Sequence, residues 1–328
     1  MSTVTKADPA TPAGSAAGLS QRRPLGDRGF QLLALAAGLL VLIILVLIAV
    51  TTAQQSVSWF TTAGFKGIFS TVWNPSTNSY GAMAYVYGTV LSSVIAIIIA
   101  FPISIGVALL LTEVVAARWA RPIVYIIDLL AVVPSVVWGL WGIIVFAPWV
   151  QSIYMSIASG VKGIPVLDSL FGGTNIDGAS FFTAGIILAI MITPIVTSLS
   201  REVMATVPAI DKEGAYALGA TRWEMIRGAV WPHSQGGVVS AVLVGLGRAM
   251  GETIAVALVI GASAEVTPHL FYPGYSIAAV IANQFGEASG EFRSALIGLG
   301  LFLFVITIIV NLVARAIVER SARRMRGA

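Results

Sequence analysis

From Phe30 to Val50 the chain runs FQLLALAAGLLVLIILVLIAV, without one charged residue. A helix crossing the hydrocarbon core of a bilayer needs ~20 apolar residues, and this run supplies them. It is too long for the ~7–15-residue apolar region of a signal peptide, although Thr51-Thr52-Ala53 would serve as a weak cleavage site. The run therefore reads as a retained transmembrane helix. Comparable runs follow at 84–112, 123–147, 181–200, 236–262 and 294–316. They predict an all-α integral membrane protein with six spans. Pro102, Pro134 and Pro194 fall inside three of these runs, where neighbouring helices make a kink tolerable.

Composition narrows the function. Hydrophobic residues make up 57% of the 328 positions and charged residues 10%, with a mean hydropathy of +0.90. A soluble domain carries ~25% charge, so a soluble enzyme, a disordered regulator and a nucleic-acid-binding module are excluded. The net charge of +4 comes with no dense basic patch before the C-terminus, and hence no footprint for a polyanion. With no cysteine, disulfides, zinc–thiolate sites and iron–sulfur clusters are out of reach.

The cations set the direction of insertion. Lys6, Arg22, Arg23, Arg28, Arg118, Arg121, Arg201, Lys212, Arg222, Arg227, Arg315, Arg320, Arg323, Arg324 and Arg326 fall on one side of the six runs. Only Lys66, Lys162 and Arg293 fall on the other. Cytoplasmic loops hold the excess of Lys and Arg, so both termini are expected in the cytoplasm. Residues 1–29 read as a disordered cytoplasmic tail, 30–320 as the transmembrane domain and 321–328 as a basic cytoplasmic end. Trp59, Trp73, Tyr80, Trp149 and Tyr154 suit an aromatic belt at the interface. The short apolar stretch Ile277–Phe285 suits a surface or re-entrant helix. No internal repeat is evident.

The cytoplasmic loop 201–232 has its own design. Pro208 suits the start of a short helix, and Gly219 suits the left-handed residue that ends it. Thr221-Arg-Trp-Glu224 has the spacing of a capping box opening a second helix, with Pro232 at its end. Tyr216 and Leu218 lie near the corner, and Met225, Ile226, Ala229 and Val230 lie along the second helix. A plain surface connector and a rigid knob offered to a cytoplasmic partner both fit this pattern.

Glu213-Gly214-Ala215, followed after three residues by Gly219 and ending at Pro232, resembles the EAA loop of ABC-importer permeases. That pattern has Ala where this chain has Gly214, an aliphatic at Ala229 and Leu at Trp231; the spacing is kept. The resemblance implies that Glu213, Gly214, Ala215 and Gly219 couple the chain to a separate ATPase subunit. The chain itself has no G-x-x-x-x-G-K-[ST] phosphate loop.

Inside the fifth run lies Gly245-Leu-Gly-Arg248-Ala-Met-Gly251-Glu252-Thr253. A helical rise of 1.5 Å per residue puts Arg248 ~18 Å past Gly236, near the middle of a ~30 Å core. A charge there is costly unless paired or hydrated. Glu252 is one turn on, so a regular helix would let the two meet, while Gly245, Gly247 and Gly251 leave space beside them. A structural ion pair and a station for a passing anion both fit. Guanidinium suits the second, because it stays charged and presents a fork of donors to phosphate-like oxygens. Asp128 lies shallower and reads as structural. His233 and His269 fall on opposite sides and cannot share a site.

The stretch Gly245–Val256 resembles the signature of PstC-type permeases of phosphate ABC importers. So do Ala217–Glu224, Val133–Gly142, Trp73-Asn-Pro75 and Pro273–Asn283, and the likeness covers residues from about 30 to 320. It implies a type I ABC-importer permease fold, with Arg248 and Glu252 on the path of inorganic phosphate. It also implies a PstA-type second permease, two ATPase subunits that carry ATP and Mg, and an extracytoplasmic phosphate-binding protein. This chain would hold no cofactor, catalytic residue or metal. An ion-coupled secondary transporter or channel for an oxyanion is the alternative. An intramembrane enzyme lacks any spacing that recommends a nucleophile and base.

Overall fold

The computed structural model describes residues 25–326. Residues 1–24 of the expected tail, with Lys6, Arg22 and Arg23, lie outside the described residues. Two units divide at Val50 and Thr51. The first contains the start of helix α1 (Leu25–Ile68), so Leu25–Gly29, assigned to the tail by sequence, are already helical. Up to Val50 its large apolar side chains, such as Phe30, Leu33 and Leu42, are exposed. A helix apolar all round and unburied is one whose solvent is lipid. It runs through Thr51-Thr52-Ala53 and breaks at Gly64, whose φ is +60°.

After α1 come a hairpin of β1 (Trp73–Asn74) and β2 (Ser79–Tyr80) and helix α2 (Met83–Leu109), which ends in a π-helical turn at Leu110–Val114. Helix α3 (Ala117–Val132) leads to α4 (Ser135–Trp141), a second π turn at Gly142–Phe146, α5 (Ala147–Val161) and α6 (Pro165–Phe171). Helix α7 (Phe181–Ala205) precedes the short helices α8 (Ala209–Ala217) and α9 (Arg222–Met225). A third π turn at Ile226–Val230 joins α9 to α10 (Trp231–Gly251). The chain closes with α11 (Ile254–Val259), α12 (Ile277–Gln284) and α13 (Gly290–Arg326).

Among the described residues, five stretches are long and apolar enough to cross a membrane: Gly29–Gly64, Met83–Val114, Ser135–Val161, Phe181–Ala205 and Gly290–Val313. Two of the six expected runs are cut instead. The 123–147 run breaks at Val133 (ψ 125°) and Pro134 (ψ 137°). The ring of a proline forces the preceding residue out of the helical region, and Pro134 then caps α4. Pro102 and Pro194, by contrast, stay inside α2 and α7. The 236–262 run breaks at Glu252 (φ −70°, ψ 130°), where Gly245, Gly247 and Gly251 have already weakened the helix.

Helix α7 is the axis of the second unit, packing on α2, α10, α3 and α11. Its approach to α2 depends on Gly185, whose missing side chain makes room for Ile95. The main core gathers Ile187, Leu188 and Ile192 of α7 with Val256 and Val259 of α11 and Ile277 and Val280 of α12. Most of the aromatic belt is packed within the protein, in this core or in a second cluster around Tyr154 and Phe271. Trp59 is 1% exposed and donates Nε1–H to the Tyr80 carbonyl at 2.9 Å. Trp73 packs edge-on against Tyr80 and Tyr85, and Tyr154 stacks on Phe271. Of the five, only Trp149 is exposed, although its ring lies against Phe146. Ile277–Gln284 forms a helix as expected, with Ser276 Oγ capping the Ala279 N–H. Its first turn is buried.

Candidate functional site

Arg248 lies on α10, just before the buried Ala249 and Met250, and is itself exposed. Gly245, one turn earlier, faces α7 so closely that a Cβ would lie 2.6 Å from Val196 Cγ2. Gly247 and Gly251 meet nothing within 4 Å. The glycines thus divide their work: one admits a neighbouring helix, and two leave open space beside the guanidinium.

Glu252 does not pair with Arg248; no contact between them falls within the 4.0 Å of an ion pair. The expected i,i+4 meeting needs a helix continuous through Glu252, and α10 stops at Gly251. Glu252 is half-buried at the break. The short helix α11 that follows packs on α4, where a Cβ on Gly139 would lie 2.8 Å from Ala255 Cα. Each of these two helices therefore starts just after a break, at Pro134 or at Thr253. Irregular backbone at membrane depth survives only where protein buries it or water reaches it, and here the helices that follow the two breaks pack on each other.

The loop 201–232 folds as two helices at a sharp corner. Helix α8 ends in a Schellman motif: Gly219 N–H bonds the Tyr216 carbonyl at 2.9 Å, and Ala220 N–H bonds the Ala215 carbonyl at 3.1 Å. Gly219 has φ +84°, a conformation that penalises any Cβ. The capping box forms with both halves present: Thr221 Oγ1 accepts from Glu224 N–H, and Glu224 Oε2 accepts from Thr221 N–H at 2.8 Å. The Thr221 N–H, and next the Thr221 hydroxyl donating to Oε2 at 2.8 Å, hold the Glu224 carboxyl below its ordinary range. Pro232 does not end the second helix. It occupies the first turn of α10, where its missing N–H costs nothing.

The loop has two unlike faces. Met225, Ile226 and Val230 are buried with Met204 and Val207, and with Ile105 and Ala108 of α2; Ala215 packs against the same cluster. On the other face Ile210, Tyr216, Leu218 and Trp223 are exposed, Leu218 by 91%. Glu213 and Gly214 also face outward. A second tie was not foreseen. Lys212 Nζ donates to Glu113 Oε1 at 2.6 Å, joining α8 to the π turn that ends α2. An acid just past an apolar run was the available signal, but its partner is distant in sequence.

Asp128 Oδ1 accepts from Ser198 Oγ at 3.2 Å, a link between α3 and α7. His233 is exposed, and His269 stacks on Tyr272.

The family described as binding-protein-dependent transport system inner membrane component matches residues 104–327. The chain is 42% identical over 331 residues to the phosphate transport system permease protein PstC of Xylella fastidiosa (strain Temecula1), covering 98% of both. It is 42% identical over 326 residues to PstC of Mesorhizobium japonicum, covering 99% of both. To PstC 2 of Mycobacterium tuberculosis it is 40% identical over 300 residues, covering 89% of this chain and 91% of that one. In fold it is similar to a bacterial ABC transporter involved in import of the acidic polysaccharide alginate, with a TM-score of 0.58, 16% identity, and 89% and 96% of the two chains covered. The alginate transporter in complex with its pentasaccharide-bound periplasmic protein gives a TM-score of 0.59, 16% identity, and 91% and 98% coverage. The chain belongs to the binding-protein-dependent transport system inner membrane components and, within them, to the PstC-type phosphate transport permeases.

Proposed function

We propose that this chain is one membrane subunit of an ATP-driven importer of inorganic phosphate, forming half of the translocation path. The observation that carries the substrate is the 42% identity, over 98% of both chains, to a curated phosphate transport permease. The site's chemistry supports it. Arg248 is exposed on α10, beside glycines that leave open space, and makes no ion pair among the described residues. Guanidinium donates to tetrahedral oxyanions through a planar fork. A passing anion must bind favourably yet escape. Glu252, close in sequence but unpaired with the arginine, moderates the positive field there.

The second permease subunit, of PstA type, supplies the other half of the path. Of two ATPase subunits in the transporter, one docks on this chain's 201–232 loop, with Glu213, Gly214 and Gly219 in the seat, Leu218 foremost, and Ala215 behind them against the buried cluster. The ATPase subunits bind ATP and magnesium, and their closure passes through the buried face of the loop into α2, α7 and α10. An extracytoplasmic phosphate-binding protein delivers the substrate. Both termini and the 201–232 loop lie in the cytoplasm.

Reconstitution with partner subunits tests this reading. Phosphate-stimulated ATP hydrolysis and uptake are expected from the assembled transporter, and neither from one carrying Arg248→Ala. Uptake by this chain alone without ATP, or uptake collapsed by a protonophore at constant ATP, would sink it in favour of an ion-coupled transporter.

A further inference from the structure

A cavity of about 680 Å3 lies where the π turn after α2, the start of α3, the end of α7 and α8 come together. Its size falls within the ~300–1,000 Å3 of small-molecule sites. Arg121 of α3, Arg201 of α7 and Lys212 of α8 all line it, and so does Tyr125. Neither arginine makes an ion pair among the described residues. The neighbouring acid, Glu113, is already taken by Lys212. Apart from Thr112, the remaining wall is apolar, with Leu111, Val115 and Val124.

Cations that only set topology need lie no closer together than the same loop region. Here two guanidinium groups and an ammonium, from three helices, line one open cavity. Forks of charged donors around a pocket suit a phosphate group, which has oxygens enough to satisfy several of them. Basic pockets between helices at the cytoplasmic surface also take lipid phosphates.

We propose that this cavity binds a phosphate group, either inorganic phosphate on the cytoplasmic side or the headgroup of an anionic phospholipid. The site is separate from Arg248 and rests on the cytoplasmic placement of the 201–232 loop. Its occupant reaches Lys212, the residue that ties α8 to Glu113. Occupancy therefore bears on how firmly the docking helix is held, since anion and carboxylate draw on one ammonium.

The test uses the assembled transporter without its binding protein. Radiolabelled phosphate is measured by equilibrium dialysis and retained phosphatidylglycerol by native mass spectrometry. Arg121→Gln with Arg201→Gln is expected to lower retention of one probe about tenfold or more, while Lys66→Gln, which removes an exposed cation at the end of α1, leaves it unchanged. Loss of phosphate identifies the free ion as the ligand, and loss of phosphatidylglycerol identifies the lipid. Equal retention of both by wild type and double variant, or retention of neither by wild type, overturns the proposal.

A second measurement leaves the arginines in place. The chain has no cysteine, so Tyr125→Cys creates a single thiol at the cavity. Slower maleimide labelling in the presence of inorganic phosphate or phosphatidylglycerol supports the site, and an unchanged rate with both overturns it. Because binding is read without transport, a negative result leaves the importer reading standing, and failed uptake leaves this site standing.

Discussion

The ammonium of Lys212 on α8 lies 2.6 Å from the carboxylate of Glu113 in the π turn at the end of α2. The Glu113 side chain is 5% exposed and that of Lys212 22%. A helix that presents an apolar face outward is thus fixed from behind by charge as well as by packing.

Breaking this pair should cost more than losing an exposed one. Lys212→Ala strands a buried carboxylate, a change worth ~3–5 kcal/mol for a fully buried pair. Because Lys212 is partly solvated, about 1–3 kcal/mol is expected. Thermal melts of the purified transporter should show Lys212→Ala and Glu113→Ala each lowering the midpoint. Adding Glu113→Gln to Lys212→Met should recover part of the loss; strictly additive losses would contradict the pairing.

Arg248→Ala is expected to abolish phosphate uptake while subunit assembly, read by co-purification, persists. Glu252→Gln should weaken uptake without abolishing it. Since the break after Gly251 separates the two side chains, a double-mutant cycle on stability should give a coupling energy below ~0.5 kcal/mol. A coupling of several kcal/mol would mean that they pair after all.

The two faces of the loop predict two kinds of failure. Leu218→Asp alters a side chain that is 91% exposed, so the melting midpoint should stay put while ATPase co-purification falls. Gly219→Val forces a branched side chain to φ +84° and should destabilise by about 1–2 kcal/mol. Normal ATPase binding by Leu218→Asp would remove the docking role.

Acidification should loosen the corner between α8 and α9. The Glu224 carboxyl is held below its ordinary range by the Thr221 N–H and hydroxyl. A carboxyl depressed on folding stabilises the fold at pH values above its unfolded pKa. That contribution fades as pH falls through the lower, folded value. The difference in midpoint between wild type and Glu224→Gln should therefore be full near neutrality and shrink below the usual carboxylate range. A difference that grows on acidification would refute the capping role.

Much of this was legible in the chain. The 30–50 run reads as a helix because only length and apolarity matter in lipid, and Thr221-x-x-Glu224 reads as a cap because both partners lie within one turn. Pro232 was misplaced as a terminator, although a proline in a first turn lacks only an N–H that would go unbonded. Trp59, Trp73, Tyr80 and Tyr154 pack within the protein rather than on its surface as a belt, since composition cannot tell a ring at the bilayer surface from one packed under a neighbouring helix.

The sequence by itself determined an all-α membrane chain, the positions of the cap and of Gly219, and the presence of a lone arginine deep in an apolar run. Each of these depends on neighbours within a few residues or on transfer into lipid. Tertiary structure alone decided that Arg248 and Glu252 stay apart, that α4 and α11 meet just after their breaks, and that Lys212 finds Glu113. Those outcomes depend on where α10 stops and on which helices pack together. Local spacing carries no record of contacts made across the fold.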